Sequence, residues 1–288
     1  MNRLLLALAL AFDLSGSILA AGGPATAPPA PAPKGTLVIV GGGGMPQVIL
    51  EAFLKASGGK GGVVGIVPTS TSDPDGALRE WKADLEQAGL TMVPLDIRTR
   101  EDASDPALLD RARRCTGFWF SGGDQNLVGD KIVGTPFQQL VLARYAAGAG
   151  VGGTSAGAAI MSKVMLTGED RNGKEALTEF GPGAYRTREG MGFLPERVVV
   201  DQHFLRRGRE NRLFSLIMER RDHLGLGIDE ATALVVKAGK AVVLGERAVM
   251  VFDPSDMTAD GSSFWDLRIH LLRPGQAIDL ATRKVYQR

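Results

Sequence analysis

From residue 36 onward the chain alternates short runs of β-branched and aromatic residues with amphipathic stretches, and several of the runs end in glycines or small polar residues. A strand that is apolar throughout must be covered on both faces, and two parallel strands are joined through a helix. The alternation therefore specifies βαβ units around a parallel sheet. Thr36-Leu37-Val38-Ile39-Val40 is the first strand, and Gly41-Gly42-Gly43-Gly44 turns it toward a helix over 46–55. Strands at 63–67, 92–95 and 117–120 follow, with helices at 77–87 and around 107–113 between them. A helix at 137–147 precedes a strand end at 150–153, which leads through Ser155 into a helix running to 161. A strand at 198–200 and a helix at 210–219 come next, and from 224 short strands and turns make a β-rich finish to the same domain. The fold class expected is α/β, a mostly parallel sheet between helical layers.

The 288 residues, 44% hydrophobic, are enough to bury a sizeable core. With 33 basic against 32 acidic residues, the overall charge gives no reason to expect nucleic acid or an anionic membrane as partner. The N-terminus reads as a signal peptide over 1–21: Arg3, an apolar run at 4–12 too short to span a bilayer, and small residues around Ala20 and Ala21. Asp13 interrupts that pattern. A Pro/Ala-rich linker over 22–34 follows, so the folded domain is expected over 35–288, in a secreted or periplasmic protein without a membrane span after cleavage. Cys115, the only cysteine, allows no intrachain disulfide and reads as a buried small hydrophobe. With His203, His223 and His270 scattered along the chain, there is no metal-ligand spacing, and no cofactor is expected.

In an open parallel sheet, ligands bind outside the carboxyl ends of the strands, so the glycine-rich and polar segments that follow the strands are where chemistry belongs. The tetraglycine lacks both the Lys-Ser/Thr of a phosphate loop and the spacing of a dinucleotide fingerprint. It reads instead as backbone that must pass close to a ligand or to another catalytic loop. Gly153-Thr154-Ser155-Ala156-Gly157 has the form of a nucleophile elbow, with Ser155 exposed on a sharp turn and glycines leaving room on either side. The bland alternative is a helix start capped by Ser155 or Thr154. Backbone N–H groups of Ala156 and of Gly123, in Ser121-Gly122-Gly123-Asp124-Gln125, are the candidate oxyanion donors. His203, directly after a strand, is the candidate base; His223 and His270 read as surface or packing residues. The acid that would orient His203 is open among Asp170, Glu169, Glu175, Asp229 and Glu230, with Asp170 preferred.

Taken together, Gly35 to Gly43, Pro68-Thr69-Ser70, Ser121 to Gln125, Gly153 to Ala158, Asp201-Gln202-His203-Phe204 and Gly227-Ile228-Asp229-Glu230 resemble the serine peptidase family of the cyanophycinases and aspartyl dipeptidases. The resemblance implies a fold like that of class I glutamine amidotransferases, a three-layer sandwich with a serine on the elbow. It implies exo-type hydrolysis of cyanophycin, multi-L-arginyl-poly-L-aspartate, to β-Asp-Arg dipeptides. It also places Gln125, Asp201, Gln202, Arg207, Arg209 and Arg212 in the substrate pocket, where guanidinium groups would grip carboxylates and Asp201 or Gln125 would hold the substrate's arginine or amino group. The first loop, Gly44-Met45-Pro46, and the segment from Ala184 to Glu189 depart from the family's pattern. Two other activities fit the same residues: a dipeptidase acting on short Asp-X peptides, and a noncatalytic binding protein on the same scaffold. A homodimer is compatible with either.

Overall fold

Leu37 and Ile39 project to one face of the first strand and Val38 and Val40 to the other, and all four are fully buried. Strand side chains alternate faces, so a strand apolar at every position is a strand sandwiched between two layers. The computed structural model describes residues 32–173, 178–261 and 263–287, within one compact unit that begins at Ala32. The expected signal peptide, most of the linker, and Glu175 lie outside the described residues.

The first strand is β1 (Thr36–Val40), followed by α1 (Gln47–Ala56), β2 (Val63–Val67), α2 (Pro74–Gln87), β3 (Thr91–Pro94), α3 (Pro106–Arg113), β4 (Gly117–Phe120), α4 (Gln125–Lys131), α5 (Pro136–Ala147) and β5 (Gly150–Thr154). These five strands are all parallel, in the spatial order β1-β5-β4-β2-β3. Val40 is in register with Thr154, and Phe120 with both Val67 and Gly153, so the loops leaving β1, β2, β4 and β5 emerge level with one another. Three helices begin earlier than their apolar pattern suggests, at Pro74, Pro106 and Pro136. In each, proline takes the first helical position, where its missing N–H costs nothing, and Asp73, Asp105 or Thr135 caps the free amides in front of it.

The helix after the elbow, α6 (Ala156–Ala159), stops two residues short of the expected 161. The carbonyls of Ile160 and Met161 accept N–H groups from Met191 and Leu194, which takes them out of any helical ladder. Next come β6 (Val164–Asp170) and β7 (Tyr185–Glu189), an antiparallel pair whose mixed polar sequence hid it. Then follow β8 (Val198–Gln202), α7 (Glu210–Glu219), β9 (Leu224–Ile228), β10 (Thr232–Lys237), β11 (Lys240–Gly245), β12 (Val249–Asp253), β13 (Thr258–Asp260), β14 (Ser263–Trp265), β15 (Arg268–Leu272), β16 (Gln276–Asp279) and β17 (Val285–Gln287).

The β-rich finish is divided among three sheets of the described residues, the smallest being the β13–β14 pair. Strands β10, β11, β16 and β17 extend the central sheet antiparallel beyond β1, giving nine strands among the described residues, while β8, β9, β12 and β15 form a separate four-stranded sheet. One face of the central sheet carries α1 and α2 over a tilted aromatic cluster of Phe53, Trp81 and Trp119; the other packs α3 and α5 through Phe118, Phe120, Phe137 and Val141. The second sheet has its own cluster, with Phe204, Leu213, Ile217 and Phe252.

Candidate active site

At the end of β5 the backbone turns sharply into α6, and Ser155 takes φ 54°, ψ −112°, outside the ordinary helical and extended regions. Such a conformation for a residue with a side chain persists only where its surroundings enforce it. Here the Ser155 N–H donates to the Val40 carbonyl (3.0 Å) and its carbonyl accepts from Ala158 and Ala159. The flanking glycines are steric necessities: a Cβ on Gly153 would run into the Gly157 carbonyl, and one on Gly157 into the Phe120 carbonyl. Ser155 is thus held proud of the sheet end, as the elbow reading required.

His203 reaches Ser155 from the other sheet. It follows β8, whose only strand partner among the described residues is β9, and adopts φ 49°. Its N–H donates to the Gly41 carbonyl at 2.7 Å, which ties the second sheet to the end of β1. His203 Nε2 lies 2.9 Å from Ser155 Oγ, and Nδ1 lies 2.7 Å from Glu230 Oε1. Glu230 leaves the end of β9, next to the strand that carries His203. With both ring nitrogens engaged, His203 has no site left for Asp170. The preferred acid is therefore corrected: Glu230 is the carboxylate on the histidine. Asp170 is buried at the end of β6, level with Tyr185, and accepts from the Asn172 N–H. Of the other candidates, Glu169 pairs with Arg186, and Asp229 receives the Arg206 N–H and faces Arg247.

The tetraglycine explains itself against this pair. Gly42, at φ +103°, lies so close to the imidazole of His203 that a Cβ would fall on the ring, and a Cβ on Gly43 would come within 2.9 Å of Glu230 Cβ. Gly41 is pressed against the carbonyls of Ile228 and Asp229. The loop is a bed for the histidine and its acid. Burial is the main force lowering the His203 pKa below the usual imidazole range, aided by Arg207 and Arg209 and opposed by Glu230. The hydrogen bond to His203 is the main cause holding the Glu230 carboxyl below its ordinary range. An ionised Glu230 accepts the proton of Nδ1, which leaves the lone pair of Nε2 to accept from the Ser155 hydroxyl.

The loop after β4 stands beside Ser155. Gly123 has φ +130° and is pressed against the Ser70 carbonyl, which accepts the Asp124 N–H; the Ser70 hydroxyl donates to the Ser121 carbonyl at 2.6 Å. The N–H groups of Gly123 and Ala156 have no acceptor among the described residues. A cavity of about 380 Å³ opens here, lined by Ser155, Gly123, Gln125, Gln202, Arg207, Arg209 and Arg212. Gln125 uses its amide N–H groups on the carbonyls of Leu166 and Thr167, joining the loop to β6. Arg209 donates to the backbone and side-chain oxygens of Gln202. Asp201 departs from expectation: it is 1% exposed and does not line the cavity, but accepts from Arg212 at 2.8 Å. Arg212, equally buried, keeps Nε and Nη1 unpartnered among the described residues and faces the cavity. Asp201 thus aims an arginine, and its own contact with substrate is not supported by this placement. Cys115 is fully buried, and burial pushes its thiol up to about 11, far from a reactive thiolate.

Known proteins resemble this chain over most of its length. The chain is 33% identical over 269 residues to a cyanophycinase of Synechococcus elongatus, covering 88% of this chain and 81% of that one. It is 31% identical over 268 residues to a cyanophycinase of Trichormus variabilis, covering 87% of each. Its fold matches the crystal structure of a peptidase from an acI-B1 actinobacterium, at a TM-score of 0.65 and 24% identity over 85% of this chain and 96% of that one. The model of peptidase family S51 matches residues 37–244, which span the elbow serine, His203 and Glu230, and the chain belongs to that family.

Proposed function

We propose that this chain is a serine-type exopeptidase that hydrolyses cyanophycin, releasing β-Asp-Arg dipeptides. One observation carries the reading: Ser155, His203 and Glu230 form a continuous hydrogen-bonded chain, at 2.9 and 2.7 Å, whose serine opens into a cavity lined by arginines. The cyanophycinase relatives at 31–33% identity support the choice of substrate.

Ser155 Oγ attacks the scissile carbonyl carbon while its proton passes to His203 Nε2, and Glu230 stabilises the imidazolium that forms. The N–H groups of Gly123 and Ala156 donate to the oxyanion, a contribution of ~3 kcal/mol per donor in such sites. His203 then gives its proton to the leaving amine, and water, deprotonated by the same histidine, hydrolyses the acyl-serine. The Arg212 nitrogens left without a partner among the described residues, with Arg207 and Arg209 beside them, suit a carboxylate of the aspartyl substrate. The leader-like run at 4–12 supports action outside the cytoplasm.

Incubating the purified protein with insoluble cyanophycin and identifying soluble products by mass tests the reading. Release of β-Asp-Arg that disappears in Ser155→Ala is the expected result. Absence of that dipeptide at high enzyme concentration refutes the substrate, and activity that survives Ser155→Ala refutes the nucleophile.

A further inference from the structure

A second cavity, about 470 Å³, opens on the other flank of the elbow. The two cavities divide the same loops between them: Gly122 and Thr154 line the second, while Gly123 and Ser155 line the first. Their charges are opposite. In the first, three arginines outnumber Asp124 and Glu169; the second is lined by Asp73, Glu80 and Asp84 and by no basic residue. Asp73 caps α2, and Glu80 and Asp84 follow on the same face of that helix, with Ala77 between them and the cap. Neither Glu80 nor Asp84 has an ion-pair partner among the described residues. Trp81 and half-buried Met45 add apolar surface. At the wall, Ser121 is 6% exposed, and its buried hydroxyl has no hydrogen-bond partner among the described residues.

We propose that this second cavity is a subsite for a cationic side chain of the substrate, the guanidinium of arginine, on the flank of the cleaved bond opposite the arginine-lined cavity. An arginine side chain has the right division of character: its methylene stem suits Met45 and Trp81, and its planar head suits the carboxylates of Glu80 and Asp84. A peptide carrying a carboxylate and a guanidinium on neighbouring groups is thereby gripped on both sides of Ser155. Its register over the nucleophile is set by charge. The inference rests on the reading of Ser155 as a peptidase nucleophile.

The test combines the double variant Glu80→Gln, Asp84→Asn with two oligomers, β-aspartyl-arginine and its β-aspartyl-citrulline counterpart, which keeps the shape of the side chain and loses its charge. Glu80 is exposed and Asp84 half-buried, and charge pairs at such positions contribute a few-fold each, so the wild type is expected to favour the arginine oligomer by ~10-fold in kcat/KM, mostly through KM. The double variant is expected to lose that preference and to cleave the citrulline oligomer at the wild-type rate, with an unchanged circular dichroism spectrum. In parallel, agmatine, which has the guanidinium and no carboxylate, is titrated while tryptophan emission is followed. A saturable change in the wild type that is absent in the double variant supports the subsite whether or not the chain hydrolyses either oligomer. An arginine preference unchanged in the double variant, or no saturable response to agmatine, overturns it. If neither oligomer is cleaved while agmatine binding depends on Glu80 and Asp84, the proposed peptidase activity fails and the subsite stands.

Discussion

Replacing Glu230 with glutamine keeps the size of the side chain and removes its charge. In the wild type, the ionised carboxylate can only accept, so it fixes the proton on Nδ1 and leaves Nε2 free for Ser155. Glutamine can also present its NH₂ to Nδ1, which moves the imidazole proton to Nε2 and blocks proton transfer from the serine. For a fully buried acid in this position the loss is ~10⁴-fold in kcat. Glu230 is 23% exposed in its side chain. Water there can supply part of the missing stabilisation, so a loss of ~10³-fold is expected. The pH profile carries a second signature. Glu230 raises the pKa of His203 against the lowering effect of burial, and His203 must be unprotonated to act as a base. Removing Glu230 therefore lowers the pKa, and the acid limb of kcat/KM moves to lower pH. The assay is hydrolysis of soluble β-aspartyl-arginine oligomers across pH, with Asp170→Asn in parallel. Asp170→Asn is expected to lower thermal stability, because the residue is buried, and to leave the acid limb in place. A loss below tenfold in Glu230→Gln with an unmoved limb, or a larger loss in Asp170→Asn, would refute the assignment.

Gly42→Ala places a methyl group on the His203 ring at a backbone angle of +103°, so the ring must shift, and kcat is expected to fall by ~10² or more, with the protein still folded by circular dichroism. Arg207→Gln removes a charge that lowers the His203 pKa, so its acid limb is expected to move to higher pH, the direction opposite to Glu230→Gln. Arg212→Met leaves Asp201 buried without its cation and is expected to cost ~3–5 kcal/mol, read as a lower urea midpoint, together with a raised KM.

The alternating apolar runs determine the parallel half of the sheet, because a strand buried on both faces must be apolar at every position and its period is local. The elbow was legible for the same reason: Gly153, Ser155 and Gly157 act over five consecutive residues, and each glycine answers to a contact within that turn or the next strand. His203 could be found as the histidine that ends a strand. Its acid could not be singled out from the residues alone. Asp170 and Glu230 are both carboxylates that end strands, and the choice depends on which strand lies beside β8. That pairing, β8 with β9 in a second sheet, is a contact between segments joined through α7, and no local periodicity announces it. The purpose of the tetraglycine was likewise half visible: the sequence shows that the backbone must come close to something, and only the tertiary structure brings His203 and Glu230 there. Burial also divided the polar residues around the site. Asp201 and Arg212 belong to one motif region, yet packing places the first behind the second, because two charges removed from water must pair before either can meet a substrate.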